Sequence, residues 1–499
     1  MTTSALLGDP AARAWQPPAA WSRLPLLIDG AAVQGEGAPL DVTDPATGEP
    51  VASVAMASLD QLDRAVDAAR TAFDSGPWSR LTGEERRAAL HRLADVLDGY
   101  ADQLADALVA EVGTPVAIAR ALQVDWPLKH LRWYADQAVV DRTEDLGPHH
   151  EPAPSHSIVA YQPVGVVAAI SAYNYPLALA MHKIGPALAV GCTVVLVPSP
   201  RTPLATLLLA KAVAEAGLPA GAVNVVVGGA DVARRLTEHP GVDKVAFTGS
   251  PHVGTEVMRQ AATHLRGVVL ELGGKSAAIF LPGSDIREVT RTTHLRHLRN
   301  GGQACAAPTR MLVPRESWDQ FLEASREAYA EIPVGDPRDP ATVVGPMIDE
   351  GHRARIEAAV EAALAQGARV AAGGGRPEHV GGAYLNPVLL VDVDNSWPIA
   401  QEELFGPVAV AMPYDTVDDA VALANDSRFG LHAYLFGDLD TARALAPRLR
   451  VGSVTINGGG GFRPDAPMGG FGISGIGREL GHWGIHEYLE PQHVQWRTE

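Results

Sequence analysis

The segment NGGQACAAPTR, residues 300–310, holds Cys305, one of two cysteines among 499 residues. A lone cysteine is either a small buried hydrophobe or, as its thiolate, a nucleophile. Alanines at 304 and 306 leave room around the sulfur. Two other segments carry groups that would work with it. ELGGKS, at 271–276, puts Glu271 at the end of the apolar run VVLEL. Partial burial there raises a carboxyl pKa toward the range of a general base, although a strand-end carboxylate paired with a cation fits the same residues. SAYNYP, at 171–176, ends a strand with Asn174. That amide is either a turn residue or a donor held at a sheet's carboxyl edge, where an oxyanion would form.

Other signals are excluded or structural. ELGGKS resembles the end of a phosphate-binding loop, but Val269 stands where that motif needs glycine. FTGSPHVG, at 247–254, lacks the GxGxxG spacing, yet its strand, Gly249-Ser250 turn and helix start present free N–H groups to an anion. No CxxC or HExxH occurs, and His149-His150 sits in a polar linker, so no metal is expected. Cys192, in GCTVVLV, reads as structural.

Parallel strands and helices must position these groups. VGVVAAIS, TVVLVP, VNVVV, KVAFT and VVLEL are buried-strand runs separated by helical segments, which predicts βαβ units and a doubly wound sheet. Thr202 with Pro203 is expected to open a helix ending at Gly217, and Ser250 with Pro251 another. LPLLIDG reads as a strand, followed by amphipathic segments at 58–75 and 84–112, with a capping box at Thr82 and Glu85. Beyond Glu271 a second α/β region begins. Ser317 with Gln320, and Thr416 with Asp419, are expected helix caps, and 349–366 is a further helix. The polar, proline-rich stretch 142–157, the strand SIVAYQPV and the C-terminal EPQHVQW predict an arm able to pair across subunits.

Composition narrows the class. The length implies two or three domains, and 46% hydrophobic with 20% charged residues is globular. A net charge of -18 opposes nucleic acid and anionic membrane surfaces. The apolar stretch 177–197 is broken by His182, Lys183, Gly185 and Pro186, so no membrane span is expected. Two cysteines and an N-terminus without a signal-peptide pattern fit the cytoplasm.

Taken in order, SAYNYP, HKIGPALAVG, FTGS, LELGGKS, GGQAC, EELFGPV, ANDSRFGL and SGIGREL resemble the aldehyde dehydrogenase superfamily over nearly the whole chain. The resemblance implies an α/β fold with a modified Rossmann coenzyme domain (1–141 and 162–271), a second α/β catalytic domain (272–475), and a small β oligomerisation arm with a C-terminal segment (142–161 and 476–499). It implies Cys305 as nucleophile, Glu271 as general base and Asn174 as oxyanion donor, with Lys183 and Glu479 nearby. Gly249 and Ser250 match the coenzyme pyrophosphate turn, and Glu403 and Phe405 match the residues holding the nicotinamide ribose and ring. Ser171, Tyr173, Gly254 and Leu272 are also assigned to the coenzyme, which is NAD or NADP with NAD slightly favoured. The reaction implied is oxidation of a small-molecule aldehyde to an acid by a homodimer or homotetramer. CoA-acylating and non-catalytic members are the alternatives, and Glu271 argues against the first.

The chain departs from the family pattern at the ribose site. Val197 and Pro200 stand where a lysine and a glutamate usually hold the ribose hydroxyls, and Arg201 follows. Leu298 and Met468 replace common phenylalanines, and the tunnel loop reads NGGGGFRPDAP. Tyr175, His182, Phe462, Arg463 and Met468 are therefore the expected pocket residues, with Arg463 either meeting a carboxylate or hydroxyl or facing solvent.

Overall fold

The computed structural model describes residues 15–378, 381–459, 461 and 463–499. The five apolar runs form β1 (Val166–Ile170), β2 (Thr193–Val197), β3 (Val223–Val225), β4 (Lys244–Thr248) and β5 (Gly267–Glu271). They lie parallel in the order β3-β2-β1-β4-β5. Every residue of β1 and β2 is buried, which explains runs that are apolar rather than alternating. The order reverses at β1, leaving a crevice at the carboxyl ends of the neighbouring strands. Leu26–Ile28 and Ala31–Val33 add an antiparallel pair beside β3. Gly475–Ile476 closes the other edge, pairing Gly475 with Glu271.

A second sheet runs Arg369–Gly373, Val388–Val391, Val408–Tyr414, Pro308–Pro314, Ser276–Phe280, His432–Phe436 and Ser453–Ile456, parallel except for its first strand. Ala277 and Ile279 enter the core on one face, and Ala278 and Phe280 the core on the other, as the period of two requires. The expected linker around 142–157 contains a strand of its own, Glu144–His149. It joins Ser155–Pro163 and Leu489–Arg497 in a separate three-stranded sheet with many exposed residues. Among the described residues no helix is long and apolar enough to cross a membrane.

Helix starts fall as expected where the cap is local. Thr82 with Glu85 and Thr416 with Asp419 form capping boxes, and Asp349 caps Glu350–Gln366. The segment 84–112 breaks into Gly83–Gly99 and Ala101–Val112. Ser317 makes no side-chain cap. Nor does Thr202: its hydroxyl donates to Tyr173 O at 3.1 Å, and Pro203 occupies the N-cap of Leu204–Glu215. The N–H groups of Leu204 and Ala205 donate instead to the buried carboxylate of Glu111, at 2.7 and 2.9 Å. Thr202 is thereby turned to hold the loop carrying Tyr173.

Burial pushes Glu111 up to about 8, against the two N–H donors that pull it down. A raised folded-state value means that its contribution to stability is complete below the ordinary carboxylate range and is lost as pH rises through about 8. Glu111→Gln should therefore flatten the fall in melting temperature between about pH 6 and about pH 9. Glu111→Ala should cost about 1–3 kcal/mol by leaving buried donors unpaired. Thermal unfolding across pH checks both; a glutamine variant as pH-sensitive as the parent would place the titration elsewhere.

Candidate active site

Cys305 follows a turn that only its sequence permits. Asn300, Gly301 and Gly302 take φ of 52, 66 and 75°, a left-handed run tolerated by glycine and asparagine. A side chain at Gly302 would start 2.3 Å from Gly406 O. Buried Gln303 then fastens the turn. It donates to Asn300 O and Pro346 O, at 3.1 and 3.2 Å, and accepts from Ile348 N at 2.9 Å. Its carbonyl accepts one N–H of Asn174 at 2.9 Å, while Asn300 donates to Asn174 O at 3.1 Å. The Asn174 amide is thus locked beside the cysteine turn with a second N–H to give.

Glu271 is buried at the end of β5, and neither carboxylate oxygen has a hydrogen-bond partner. Burial and then the charge of Glu479 hold it well above the usual carboxylate range. Cys305 keeps some exposure, yet burial pushes its thiol up, and Glu403 and Glu271 push it further. The backbone N–H groups of Cys305 and Ala306 face the sulfur and pull the other way. Lys183 is buried, donating to Glu479 at 2.7 Å and to Thr248 Oγ1 at 2.5 Å, immediately before Gly249. Sequence, spacing and fold therefore bring Cys305, Glu271, Asn174 and Lys183 together.

Of the residues assigned to the coenzyme, Ser171, Gly249 and Leu272 directly follow the carboxyl ends of β1, β4 and β5. Ser250 caps the twelve-residue helix Pro251–Ala262, accepting from Val253 N at 3.3 Å. Gly249 and Gly254 are required by close approach, since a Cβ would meet the Phe247 ring at 2.4 Å or Leu272 at 2.6 Å. Glu403 accepts from Gly274 N at 2.9 Å, and burial lifts it to about 7. Phe405 stands edge-on to Tyr173, with centroids 5.8 Å apart. The Ser171 hydroxyl, between β1 and Asn174, is buried without a partner. Anion-facing N–H groups, an orphaned hydroxyl and a carboxylate at the crevice fit a nicotinamide dinucleotide. Among the described residues no three His, Cys, Asp or Glu side chains are grouped to hold a metal.

The pocket residues separate. Tyr175 is raised first by burial and then by the Cys305 thiol, which places it beside the nucleophile. His182 is packed against His130, with ring nitrogens 3.1 Å apart, and against Trp126, and lies 3.5 Å from Glu479. Met468 is buried and its backbone exchanges hydrogen bonds with Glu479 at 2.7 and 2.8 Å. Arg463 does not project into the pocket: it forks onto Asp465 at 2.8 and 2.7 Å, with its side chain exposed. Phe462 lies outside the described residues. A cation on this side is Arg296, which the sequence reading does not single out. It stands 5.2 Å over the Tyr434 ring and donates to Gly458 O at 3.2 Å. Tyr434 in turn donates to Ala306 O at 2.8 Å, next to the cysteine. The signal was helical spacing: Arg296 and Arg299 lie within three residues at the end of Ile286–His297, just before the cysteine turn.

The aldehyde dehydrogenase family model matches residues 32–494. Geranial dehydrogenase of Castellaniella defragrans is 42% identical over 91% of this chain and 94% of its own. The NADP+ succinate-semialdehyde dehydrogenase of Escherichia coli is 37% identical over 92% and 94%. A mutant aldehyde dehydrogenase C of Pseudomonas syringae, solved with NAD+ and octanal, superposes with a TM-score of 0.89 at 38% identity, covering 94% of this chain and 96% of that one. With its geometry and these matches in agreement, the chain belongs to the aldehyde dehydrogenase family.

Proposed function

We propose that Cys305, Glu271 and Asn174 carry the reaction of this family member, oxidation of an aldehyde to a carboxylic acid with NAD or NADP as the coenzyme. The carrying observation is Glu271, a buried carboxylate with both oxygens unpartnered, acting electrostatically on the Cys305 thiol. A structural carboxylate would have found donors. The free Asn174 N–H and the Cys305 N–H are placed to receive an oxyanion.

The thiol gives up its proton to solvent water, and its sulfur bonds to the aldehyde carbon. The carbonyl oxygen becomes an oxyanion held by Asn174 and the Cys305 backbone, a contact of the kind worth about 2.7–4 kcal/mol in catalysis. A bound nicotinamide coenzyme would supply the hydride acceptor, and Cys305 would then hold the acyl group as a thioester. Glu271 then takes a proton from water as the water oxygen attacks the thioester carbon. The C–S bond breaks, releasing the acid and restoring the thiolate. Lys183 is held by Glu479 and Thr248, and its position limits how far Glu271 is raised.

The separate sheets support the division into a coenzyme domain (1–141, 162–271), a catalytic domain (272–475) and an arm with the C-terminal segment (142–161, 476–499). The exposed strand Leu489–Arg497 favours pairing between subunits in a homodimer or homotetramer. Few cysteines favour a cytoplasmic setting. Relatives named for geranial and for succinate semialdehyde differ widely in substrate, so the pocket of Tyr175, Tyr434 and Arg296 sets which aldehyde is preferred.

Three outcomes are expected. Cys305→Ala abolishes aldehyde-dependent coenzyme reduction, while Cys192→Ala keeps most of it. The Cys192 thiol is buried, donates to Tyr488 O at 3.4 Å and is pushed up to about 12 by burial. A reversed pattern would move the nucleophile. Second, Glu271→Gln shows a rapid-mixing burst of about one reduced coenzyme per site and then slow turnover, because glutamine cannot accept the proton of water. Loss of the burst itself would argue against the deacylation role, and turnover dependent on CoA would select the acylating alternative. Third, Cys305 and Glu271 are both raised and both act deprotonated, so parent turnover climbs as pH rises from neutrality. The slow step of Glu271→Gln should climb less steeply, and equal slopes would separate the pH dependence from this carboxyl.

A further inference from the structure

In a sheet of order β3-β2-β1-β4-β5, the residues after the second strand read the adenosine ribose, through an acid for a free 2′-hydroxyl or a nearby arginine for a 2′-phosphate. Here β2 ends at Val197, and in Val197-Pro198-Ser199-Pro200-Arg201 the sole charge is Arg201. Taken alone, that loop would favour the phosphorylated coenzyme. The structure gives Arg201 a prior engagement. Its Nη2 lies 3.1 Å from Asp349 Oδ2, and its guanidinium stands 5.6 Å over the Tyr173 ring.

Asp349 comes from the other half of the molecule. It caps the helix Glu350–Gln366, accepting from His352 N at 2.6 Å. The His352 ring meets Phe405 O at 2.8 Å, and Phe405 packs edge-on against Tyr173. Arg201, Asp349, His352, Phe405 and Tyr173 thus form a closed ring of contacts across the crevice. The Arg201 and Asp349 side chains are 44% and 38% exposed, so a ligand entering there reaches both.

We propose that Asp349 is a coenzyme-selecting residue. By engaging Arg201 it withholds the one cation at the end of β2 from a 2′-phosphate, and it sets a negative charge beside the place that phosphate would take. Pro200 leaves the loop without an acid, and Asp349 supplies one from across the crevice. NADPH must detach Arg201 from a carboxylate and lie against that carboxylate, whereas NADH disturbs the pair less. This rests on the coenzyme reading of the crevice given above.

The test is direct binding of NADH and NADPH to the purified enzyme, followed by coenzyme fluorescence. Competition by 5′-AMP and adenosine 2′,5′-bisphosphate adds a readout independent of turnover. The parent should favour NADH over NADPH by about tenfold or more, the scale of one charge-assisted contact. Asp349→Asn keeps an N-cap oxygen and loses the charge, and should move the ratio of dissociation constants toward NADPH by about tenfold. Arg201→Ala alone should move the ratio less than about twofold, yet in the Asp349→Asn background it should remove the gain, as a coupled pair requires. A parent that prefers NADPH, an unmoved ratio in Asp349→Asn, or a gain that survives loss of Arg201 would each overturn the proposal. Failure of both coenzymes and both nucleotides to bind the parent would overturn the coenzyme reading itself.

Discussion

The buried ion pair of Lys183 with Glu479 organises the electrostatics of the site. Both side chains are essentially inaccessible to water, and removing either would leave a buried, unpaired charge, a change of the kind that costs about 3–5 kcal/mol. Burial works to raise Glu479, but Lys183 and then His182 outweigh it and hold the carboxylate down. Its charge is felt at Glu271, which burial raises first and Glu479 raises further. The pair is also mechanical. Lys183 reaches Thr248 at the end of β4, and the Glu479 backbone is stitched to Met468. One contact therefore joins the helix after SAYNY, the strand before Gly249-Ser250 and the C-terminal segment.

Close backbone approach is the second constraint. A Cβ on Gly273 would fall 2.2 Å from a Glu403 oxygen, and one on Gly274 would fall 2.2 Å from Cys305 O. The two glycines of ELGGKS do not cradle a phosphate. They let the strand carrying Glu271 pass against the segments carrying Cys305 and Glu403. Gly469 serves the same end, because a side chain there would start 2.9 Å from Glu271 Oε1.

What was legible in the sequence follows the range of the interaction. The five strands of the coenzyme sheet and the boxes at Thr82 and Thr416 depend on neighbours within a few residues, and they stand as read. The cap on Leu204–Glu215 does not, because Glu111 arrives from 93 residues away and displaces Thr202. The engagement of Arg201 spans the crevice between the two sheets, and no periodicity announces it. Arg463, expected in the pocket, is taken instead by Asp465, two positions on in RPD, a local acid that the pocket reading passed over. Cys305, Glu271 and Asn174 were identified by residue type at strand ends and turns. Gln303, which fastens them, is polar but wholly internal, so its role needed the fold.

Four buried carboxyls show how burial alone does not assign a role. Glu111, Glu271, Glu403 and Glu479 are all pushed upward by loss of water. Their partners distinguish them. Glu111 takes two backbone N–H groups of a helix start and is structural. Glu479 takes a lysine and is a fixed anion. Glu403 takes the N–H of Gly274, the second glycine of ELGGKS. Glu271 takes none, and an unsatisfied buried carboxyl persists where packing around it leaves it no donor. Lys183 and Glu479 are locked to each other, and Gly469 closes in from the opposite side. The hydrogen-bonding capacity left open at Glu271 is what a water molecule beside an acylated Cys305 would fill.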